Sequence, residues 1–384
     1  MTPDELTALV DEVLPVLRAG AAETDRLAAF PVKSLEALRQ HRLMSLLVPA
    51  EFGGAGASLK TFLDLAQRLA TACLSTAQVW AMHCAHVDVI RQYGSAELKA
   101  RILPRIAAEQ LFLASVTTEK GRGASLFTAH SPLTAVDGRL ALDRSAPVVT
   151  GGAHADGFVI TMRSAPSATE HEVTLIYADR DDLSVETAGD WDTLGMRGTE
   201  SLAAHLTGDV PAGNVIGEAG RFADIARENM IPMSHLGWSA CWLGAAQGAL
   251  GAFLRCVAGT PAAEGDLFND RLAAIRVDLE LVSAYLTRVR QEVDQTRAAG
   301  GSLAHPRTQL QLNTLKVVAS DLTFRAVDNL MKLAGLRLGY AKGSPIPIER
   351  SFRDARAASL MHSNDSIRVG IGALALLDRG VHLI

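Results

Sequence analysis

The first third of the chain repeats apolar residues every three or four positions, which is the spacing of an amphipathic helix. The pattern is carried by LTALVDEVLPVL, SLEALRQHRLMSLL, LKTFLDLAQRLATACL and AQVWAMHCAHVDVIRQY. Between the second and third of these segments, the Gly-rich stretch 48–58 ends in Ser58, a residue type that caps helix N-termini. We therefore predict an all-α N-terminal domain over residues 1–112.

In the middle of the chain the apolar period changes to two residues, which is typical of β-strands. Asp137 and Gly138 lie between two alternating runs and predict a tight hairpin. The segments GFVITMR and EVTLIYAD predict further strands. The number of elements favours a compact β-barrel or sandwich, and we predict a middle β-barrel domain over residues 113–218.

After residue 218 the apolar residues again follow the spacing of long helices. Within residues 271–297 apolar side chains recur at alternating spacings of three and four, as along the seam of a coiled coil: Leu272, Ile275, Leu279, Val282, Leu286, Val289 and Val293. The segment GSLAHP interrupts this helix, and the apolar segment that follows it predicts an antiparallel partner. We predict a C-terminal four-helix bundle over residues 219–384, which completes an α+β fold of three domains.

Composition and charge narrow the class of function. The chain has 384 residues, of which 48% are apolar, and its 37 Lys and Arg are dispersed in a chain of net charge −5. A dispersed charge argues against a nucleic-acid partner, which needs a clustered basic surface. The four cysteines show no CxxC spacing, and the acidic, amphipathic N-terminus does not resemble a signal peptide. We expect a cytoplasmic protein with reduced thiols.

Two further patterns need a decision. Residues 235–254 form a segment long and apolar enough to cross a bilayer, but it contains the polar residues His235, Ser239 and Gln247. We therefore predict a buried core helix and no membrane partner. His83 and His86 share a helix face, which is a spacing that can bind metal, but no third ligand is apparent. We therefore predict no metal site.

Six strings, taken in order, resemble the acyl-CoA dehydrogenase superfamily along nearly the whole chain. They are VPAEFGGAGAS, QYGSAELKARILPRIAAEQ, SVTTEKGRGAS, PVVTGGAHADGFVI, WDTLGMRGTES and IPIERSFRDARAASLMHSND. The resemblance implies an N-terminal helical domain, a middle β-domain and a C-terminal four-helix bundle, with a flavin held between the last two. It also implies a homo-oligomer, either a dimer or a homotetramer.

The chain departs from the dehydrogenases of this family at their catalytic base. Those enzymes remove an α-proton of an acyl thioester with a glutamate, and the position that matches this glutamate is His362. A minority of the family carries the base on the first bundle helix, where the matching residue is Ser234. Neither position offers a carboxylate, and imidazole is a poorer base for a carbon acid. This departure weakens the dehydrogenase interpretation without removing it.

The chain also lacks the Arg-x-x-Phe-Gly string that helps to hold FAD in the dehydrogenases. In both departures it resembles the flavin-dependent monooxygenase branch of the superfamily. That branch includes dibenzothiophene monooxygenases, 4-hydroxyphenylacetate hydroxylases and nitrososynthases. Its members receive reduced flavin from a separate NAD(P)H:flavin reductase, form a C4a-hydroperoxide with O2, and oxygenate an aromatic ring or an amine. The resemblance implies the same small-molecule chemistry here, with FAD or FMN left open.

Three threonines are the cofactor-binding residues that the resemblance implies. Thr117 and Thr118 lie in the string SVTTE, which matches the family strand along the flavin ring, and Thr150 matches the residue that contacts flavin N5. Threonine is also an ordinary strand residue, so the structural interpretation stands beside the functional one.

Three further residues are the implied catalytic group. His362 would take a proton from a phenol, indole or amine, or steady a peroxide oxygen, and His83 matches an active-site histidine of the first domain, with His86 left to packing. Ser115, on the same strand as the threonines, would face the substrate. Two alternatives remain open: an acyl-CoA dehydrogenase or oxidase with a displaced base, and a catalytically silent flavin-binding scaffold.

Overall fold

The computed structural model describes residues 1–121, 125–378 and 380–381. Its N-terminal part is helical, as predicted. Ser58 caps α3, because its Oγ accepts the N–H of Thr61 at 3.1 Å, and the predicted N-cap is confirmed. The fourth helix is buried over nearly its whole length and is therefore an inner element. The helices are α1 (Pro3–Leu27), α2 (Val32–Gln40), α3 (Leu59–Ala70), α4 (Leu74–Tyr93) and α5 (Ala96–Glu109).

The middle part forms two four-stranded sheets, in the orders β1-β4-β5-β8 and β2-β3-β7-β6. Asp137 and Gly138 both have positive φ (48° and 77°) and connect β2 to antiparallel β3, so the predicted hairpin is confirmed. The strands are β1 (Leu113–Val116), β2 (Thr134–Val136), β3 (Arg139–Thr150), β4 (Gly157–Arg163), β5 (Val173–Asp179), β6 (Leu183–Ala188), β7 (Ser201–Pro211) and β8 (Val215–Ile216).

The C-terminal part is a set of long helices that pack against one another. All members of the predicted seam on α8 except Leu272 are fully buried, and Leu272 is partly buried against the same core, which confirms the seam. The helices are α6 (Phe222–Ile225), α7 (Ile231–Val257), α8 (Asp266–Ala298), α9 (Pro306–Gly335), α10 (Ile348–Arg356) and α11 (Asn364–Ala375). The order helices, sheets, helices confirms the predicted fold class.

The α7 helix is the central element of the molecule. It packs against α3 and α4 of the N-terminal part and against α8 and α9 of its own part. Within the described residues, Phe222–Val257 is the one stretch whose length and hydropathy would suit a membrane crossing. Because most of α7 is covered by neighbouring helices, its apolar composition is explained by burial inside the protein.

Two strand pairings bring the predicted site residues to one edge of the β-domain. The β1 strand, which precedes Thr117 and Thr118, runs parallel to β4. The last pair between β3 and β7 places Thr150 opposite Ser201. Residues 122–124 of the string SVTTEKGRGAS, and residues 379 and 382–384 of the predicted bundle, lie outside the described residues.

Candidate active site

A cavity of about 620 Å³ lies between this edge of the β-domain, the helices α4 and α7, and the segment that joins α10 to α11. Its volume is in the range of small-molecule sites, and most of its wall is apolar. Five of the six predicted site residues line it: Ser115, Thr117, Thr118, Thr150 and His362. Strands and helices from all three parts of the chain therefore meet at one site.

Thr150 ends a chain of hydroxyl groups whose hydrogen-bond direction can be assigned. The hydroxyl of Thr199 donates to the Met196 carbonyl at 2.9 Å, so its oxygen accepts from Ser201 at 2.9 Å. Ser201 has then used its proton, and it accepts from Thr150 at 2.9 Å. Thr150 consequently presents only lone pairs to the cavity. Ser201 and Thr199 lie in the string WDTLGMRGTES, but the sequence did not pair them with Thr150, because they come from a different strand and loop.

The hydroxyl group of Thr118, unlike that of Thr150, is bonded to the backbone of a neighbouring strand. It donates to the carbonyl of Val148 at 2.9 Å, which ties the segment after β1 to β3. The threonine pair is thereby held beside Thr150 at the same end of the cavity. This arrangement leaves the Thr118 hydroxyl oxygen as an acceptor.

His83 does not line the cavity. The sequence led us to expect that His83 faces the site and that His86 serves packing, and the structure gives the opposite arrangement. His83 is fully buried, its Nε2 donates to the carbonyl of Met44 at 2.7 Å, and its Nδ1 accepts the N–H of Leu113 at 3.1 Å. Both ring nitrogens are thus used to join α4 to β1. Burial lowers the pKa of His83 to about 4, so the ring is neutral.

His86, one turn further along α4, lines the cavity instead. Neither of its ring nitrogens has a hydrogen-bond partner among the described residues, and burial lowers its pKa to about 3. Gln78, two turns earlier on α4, also lines the cavity, and its amide oxygen and nitrogen are both without partners. Buried polar groups are normally satisfied, so these two side chains are available to bind a ligand in the cavity.

His362 lies in the tight connection before α11, where its φ is 49°. Lys316 of α9 holds this connection: its ammonium group donates to the carbonyls of Ala358 and His362 at 3.0 Å each and to Oδ1 of Asn364 at 2.7 Å. All three ammonium protons are used, and the side chain is fully buried. Burial lowers the pKa of His362, and the Lys316 charge lowers it further.

His235 of α7 is the neighbour of His362, with ring centroids 6.2 Å apart. Its Nδ1 lies 3.2 Å from the Leu312 carbonyl, which can only accept, so Nδ1 carries the proton and Nε2 carries the lone pair. Burial lowers the pKa of His235 to about 3, with smaller contributions from His362 and Lys316. The cavity therefore contains neutral imidazoles.

Among the described residues that line the cavity there is no aspartate and no glutamate. Asp354 follows the lining residue Arg353, but it accepts the backbone N–H of Met196 at 2.6 Å and is not part of the lining. Ser234, which matches the alternative base position, does line the cavity and carries no charge. Among the described lining residues, imidazole and hydroxyl groups are the ones suited to exchange protons near neutral pH.

Comparisons with known proteins give a family and a fold. Residues 4–110 match the model "Acyl-CoA dehydrogenase, N-terminal domain", and residues 236–365 match "Acyl-CoA dehydrogenase, C-terminal domain". Cyclohexane-1-carbonyl-CoA dehydrogenase of Geobacter metallireducens is 24% identical over 91% of this chain and 90% of its own length.

Two solved structures illustrate the two chemistries found on this fold. FMN-bound dibenzothiophene monooxygenase TdsC from Paenibacillus sp. A11-2 superimposes with a TM-score of 0.85 at 22% identity and covers 99% of this chain and 98% of that one. Butyryl-CoA dehydrogenase from Megasphaera elsdenii superimposes with a TM-score of 0.83 at 20% identity and covers 98% and 99%. Identities of this order establish the fold alone.

Proposed function

The chain belongs to the acyl-CoA dehydrogenase superfamily, whose members are flavin-dependent oxidoreductases, and on that premise we propose that it is a two-component flavin-dependent monooxygenase. It would use reduced flavin and O2 to oxygenate an aromatic (phenol-like or indole-like) or amine metabolite. The reduced flavin would come from a separate NAD(P)H:flavin reductase by diffusion.

The observation that carries this proposal is the set of ionisable groups in the cavity. Removal of an α-proton from an acyl thioester needs a strong base beside the carbon acid, and the described lining supplies no carboxylate. It supplies His86, His235 and His362, whose pKa values are all lowered by burial. His86 and His235, with pKa values of about 3, can accept hydrogen bonds, and His362 can exchange a proton with an oxygen or nitrogen atom, which is what oxygenation of a phenol, indole or amine requires.

The residues present fit an isoalloxazine ring. A flavin ring system presents both N–H donors and carbonyl acceptors on an otherwise apolar surface, and the unpartnered amide of Gln78 offers both complements. Thr150 presents lone pairs only, and these would accept the N5 proton of a reduced flavin. When bound, the reduced flavin supplies the electrons that activate O2.

The chain's own residues then act on the substrate and its protons. His362 would take the proton from the substrate hydroxyl, ring N–H or amine, because its ring lies on the cavity surface and is neutral. His235 would receive a hydrogen bond at Nε2, the nitrogen left free by its contact with Leu312. The apolar wall, including Trp238 and Met82, excludes water from the reaction.

The remaining assignments belong to the same proposal. The flavin is FAD or FMN, the protein acts in the cytoplasm, and it assembles as a homodimer or homotetramer with no nucleic-acid or membrane partner. Support for assembly comes from exposed apolar side chains near the end of the described chain, namely Leu336, Leu360, Val369, Leu376 and Leu377.

Rapid mixing of the protein carrying reduced flavin with oxygenated buffer tests the reaction class. A transient near-ultraviolet band that differs from reduced and oxidised flavin, followed by substrate-dependent decay, is the expected result. Immediate return of oxidised flavin, both with and without candidate substrates, would contradict the proposal.

An acyl-CoA dehydrogenase or oxidase with a displaced base is the second candidate, and the names of the relatives similar in sequence favour it. It predicts that an acyl-CoA added without oxygen bleaches the bound oxidised flavin in the absence of any reductase. The monooxygenase proposal predicts no bleaching in the same experiment. A catalytically silent scaffold is the third candidate, and it predicts neither signal.

A further inference from the structure

An arginine occupies a core position of the β-domain. Side chains of β3 alternate between the core and the outer face, and the buried positions over residues 142–147 are Leu142, Arg144 and Ala146. The side chain of Arg144 is fully buried. Placing a guanidinium charge in a protein core costs free energy, so its presence there needs an explanation.

Arg144 is held by two groups of the segment that follows β1. Its Nη2 donates to the carbonyl of Thr118 at 3.0 Å, and its Nη1 lies 2.8 Å from Oε2 of Glu119. The Glu119 carboxylate also accepts the backbone N–H groups of His130 at 2.7 Å and Ser131 at 2.8 Å. Both members of the Arg144–Glu119 pair are therefore fixed in place.

The segment after β1 is also tied to β3 by two contacts that involve no charge. The backbone N–H of Lys120 donates to the carbonyl of Ser145 at 3.0 Å, and the Thr118 hydroxyl donates to the carbonyl of Val148 at 2.9 Å. Apolar side chains of similar volume often stabilise a core as well as a buried ion pair does, or better. Stability alone therefore does not account for the Arg144–Glu119 pair.

We propose that the Arg144–Glu119 pair tunes the redox potential of the bound flavin, with Arg144 favouring the reduced form and Glu119 opposing it. Thr118, which accepts the hydrogen bond of Arg144, lines the active-site cavity. The resemblance to the superfamily implies that Thr117 and Thr118 lie along the flavin ring. Reduction adds negative charge to a flavin, and a cation directly behind the cavity wall stabilises that charge because little water screens it.

Removal of one charge at a time should shift the flavin in opposite directions. In Arg144→Met the ratio of the affinities for reduced and oxidised FMN should fall by about tenfold, because the Glu119 carboxylate is left unpaired and its two backbone donors keep it ionised. In Glu119→Gln the ratio should rise by about tenfold, because the Arg144 charge is then unbalanced. A tenfold change equals about 30 mV in the midpoint potential of a two-electron couple. Anaerobic titration of the FMN-loaded protein against a reference dye measures this potential.

Control variants separate the effect of charge from that of packing. Arg144→Lys keeps the charge and should keep the ratio within about twofold. Arg139→Met removes the same charge from the exposed start of β3, where Arg139 pairs with Asp209, and should leave the ratio unchanged. Circular dichroism checks that each variant is folded. If Arg144→Met does not fold, Glu119→Gln decides by itself, because a loss of packing does not favour the reduced flavin over the oxidised one.

A fall of the ratio in both single variants, or no change in Glu119→Gln, would overturn the proposal and leave the pair a structural one. Failure of the unmodified protein to bind FMN or FAD would instead overturn the flavin site, and this inference with it. The inference rests on the proposed flavin site and not on oxygenation, since the titration uses neither oxygen nor substrate. A failure of the monooxygenase proposal, seen on mixing with oxygen, therefore gives a different result.

Discussion

His83 and His86 lie one turn apart on α4, yet their environments leave them with different capacities. The ring nitrogens of His83 are both hydrogen-bonded to backbone groups, whereas those of His86, which lines the cavity, have no partner in the described part of the chain. No local sequence feature distinguishes the two. Their difference depends on where Met44 and Leu113 lie, and both are distant in the sequence from α4.

At the residue scale, His362→Gln tests the proposed proton acceptor. Glutamine keeps polarity and approximate size but cannot take a proton, so we expect substrate oxygenation to fall by about 10²-fold. Flavin affinity should change little, because the proposed flavin contacts lie on α4 and the strands. Steady-state oxygenation with an added reductase measures the effect, and His171→Gln, an exposed histidine of the β-domain, is the control. Unchanged oxygenation would remove His362 from the reaction.

Lys316 is a positioning residue for His362, and Lys316→Met tests this role. The substitution removes the Lys316 donor from two carbonyls and from Asn364 Oδ1, which keeps only the longer contact with Ser320, so the free energy of unfolding should fall by about 3 kcal/mol. Removal of the positive charge should also raise the pKa of His362 and move the acidic limb of the pH–rate profile to higher pH. Lys332→Met, at an exposed lysine paired with Asp328, should change neither quantity. A variant that loses stability but keeps its pH profile would make Lys316 purely structural.

At the element scale, the packing of α7 on α3 determines the position of the cavity wall. Gly244 and Gly248 lie one turn apart on α7, and a Cβ built on Gly244 would lie 2.0 Å from the carbonyl oxygen of Gln67. On Gly248 it would lie 2.5 Å from that of Thr71. The small residues that give this helix a membrane-like composition therefore allow close helix contact inside the protein.

Gly244→Ala should accordingly destabilise the protein. The added methyl group meets backbone atoms that cannot move alone, and we expect a loss of about 2 kcal/mol despite the better helix propensity of alanine. Gly372→Ala on α11 is the comparison, because a Cβ there meets nothing within 4 Å and should stabilise by up to about 1 kcal/mol. Urea denaturation of both variants measures the difference, and equal stability would contradict the proposed close packing.

At the scale of the whole molecule, buried neutral histidines make stability depend on pH. The pKa values of His83, His86 and His235 are lowered to about 4, 3 and 3, whereas an unfolded histidine titrates near 6.5. Below pH 6.5 the unfolded chain binds these protons and the folded chain does not, so stability is lost as the pH falls. Asp354 acts in the opposite direction, because burial raises its pKa to about 6.

His83, His86 and His235 together with Asp354 give a net difference of about two protons between roughly pH 5.5 and 4.5, and His362, whose pKa is also lowered, acts in the same direction as the other histidines. Stability should therefore fall by about 3 kcal/mol for each pH unit in this window. Equilibrium unfolding at pH 7.5, 6.5, 5.5 and 4.5 measures the slope. In His86→Gln the slope should be smaller by about 1.4 kcal/mol per pH unit, and an unchanged slope would show that His86 is already protonated in the folded protein.

The sequence by itself determined the type and order of the elements, because the spacing of apolar residues reports locally which side of a helix or strand is buried. It determined the hairpin at Asp137 and Gly138 for the same reason, since a two-residue turn depends on its own residues. The ordered strings also contain the five predicted site residues, out of six, that line the cavity.

Only the tertiary structure decided which histidines face that cavity and which polar atoms remain unpaired. Gln78 gave no signal in the sequence, Ser201 lies in one of the ordered strings without being singled out by it, and the direction of the hydroxyl chain at Thr150 depends on a loop about fifty residues away. The lack of a carboxylate in the described lining likewise depends on distant segments. Such features form only when folding brings distant segments together, because electrostatic and hydrogen-bond interactions depend on distance in space and not on position in the chain.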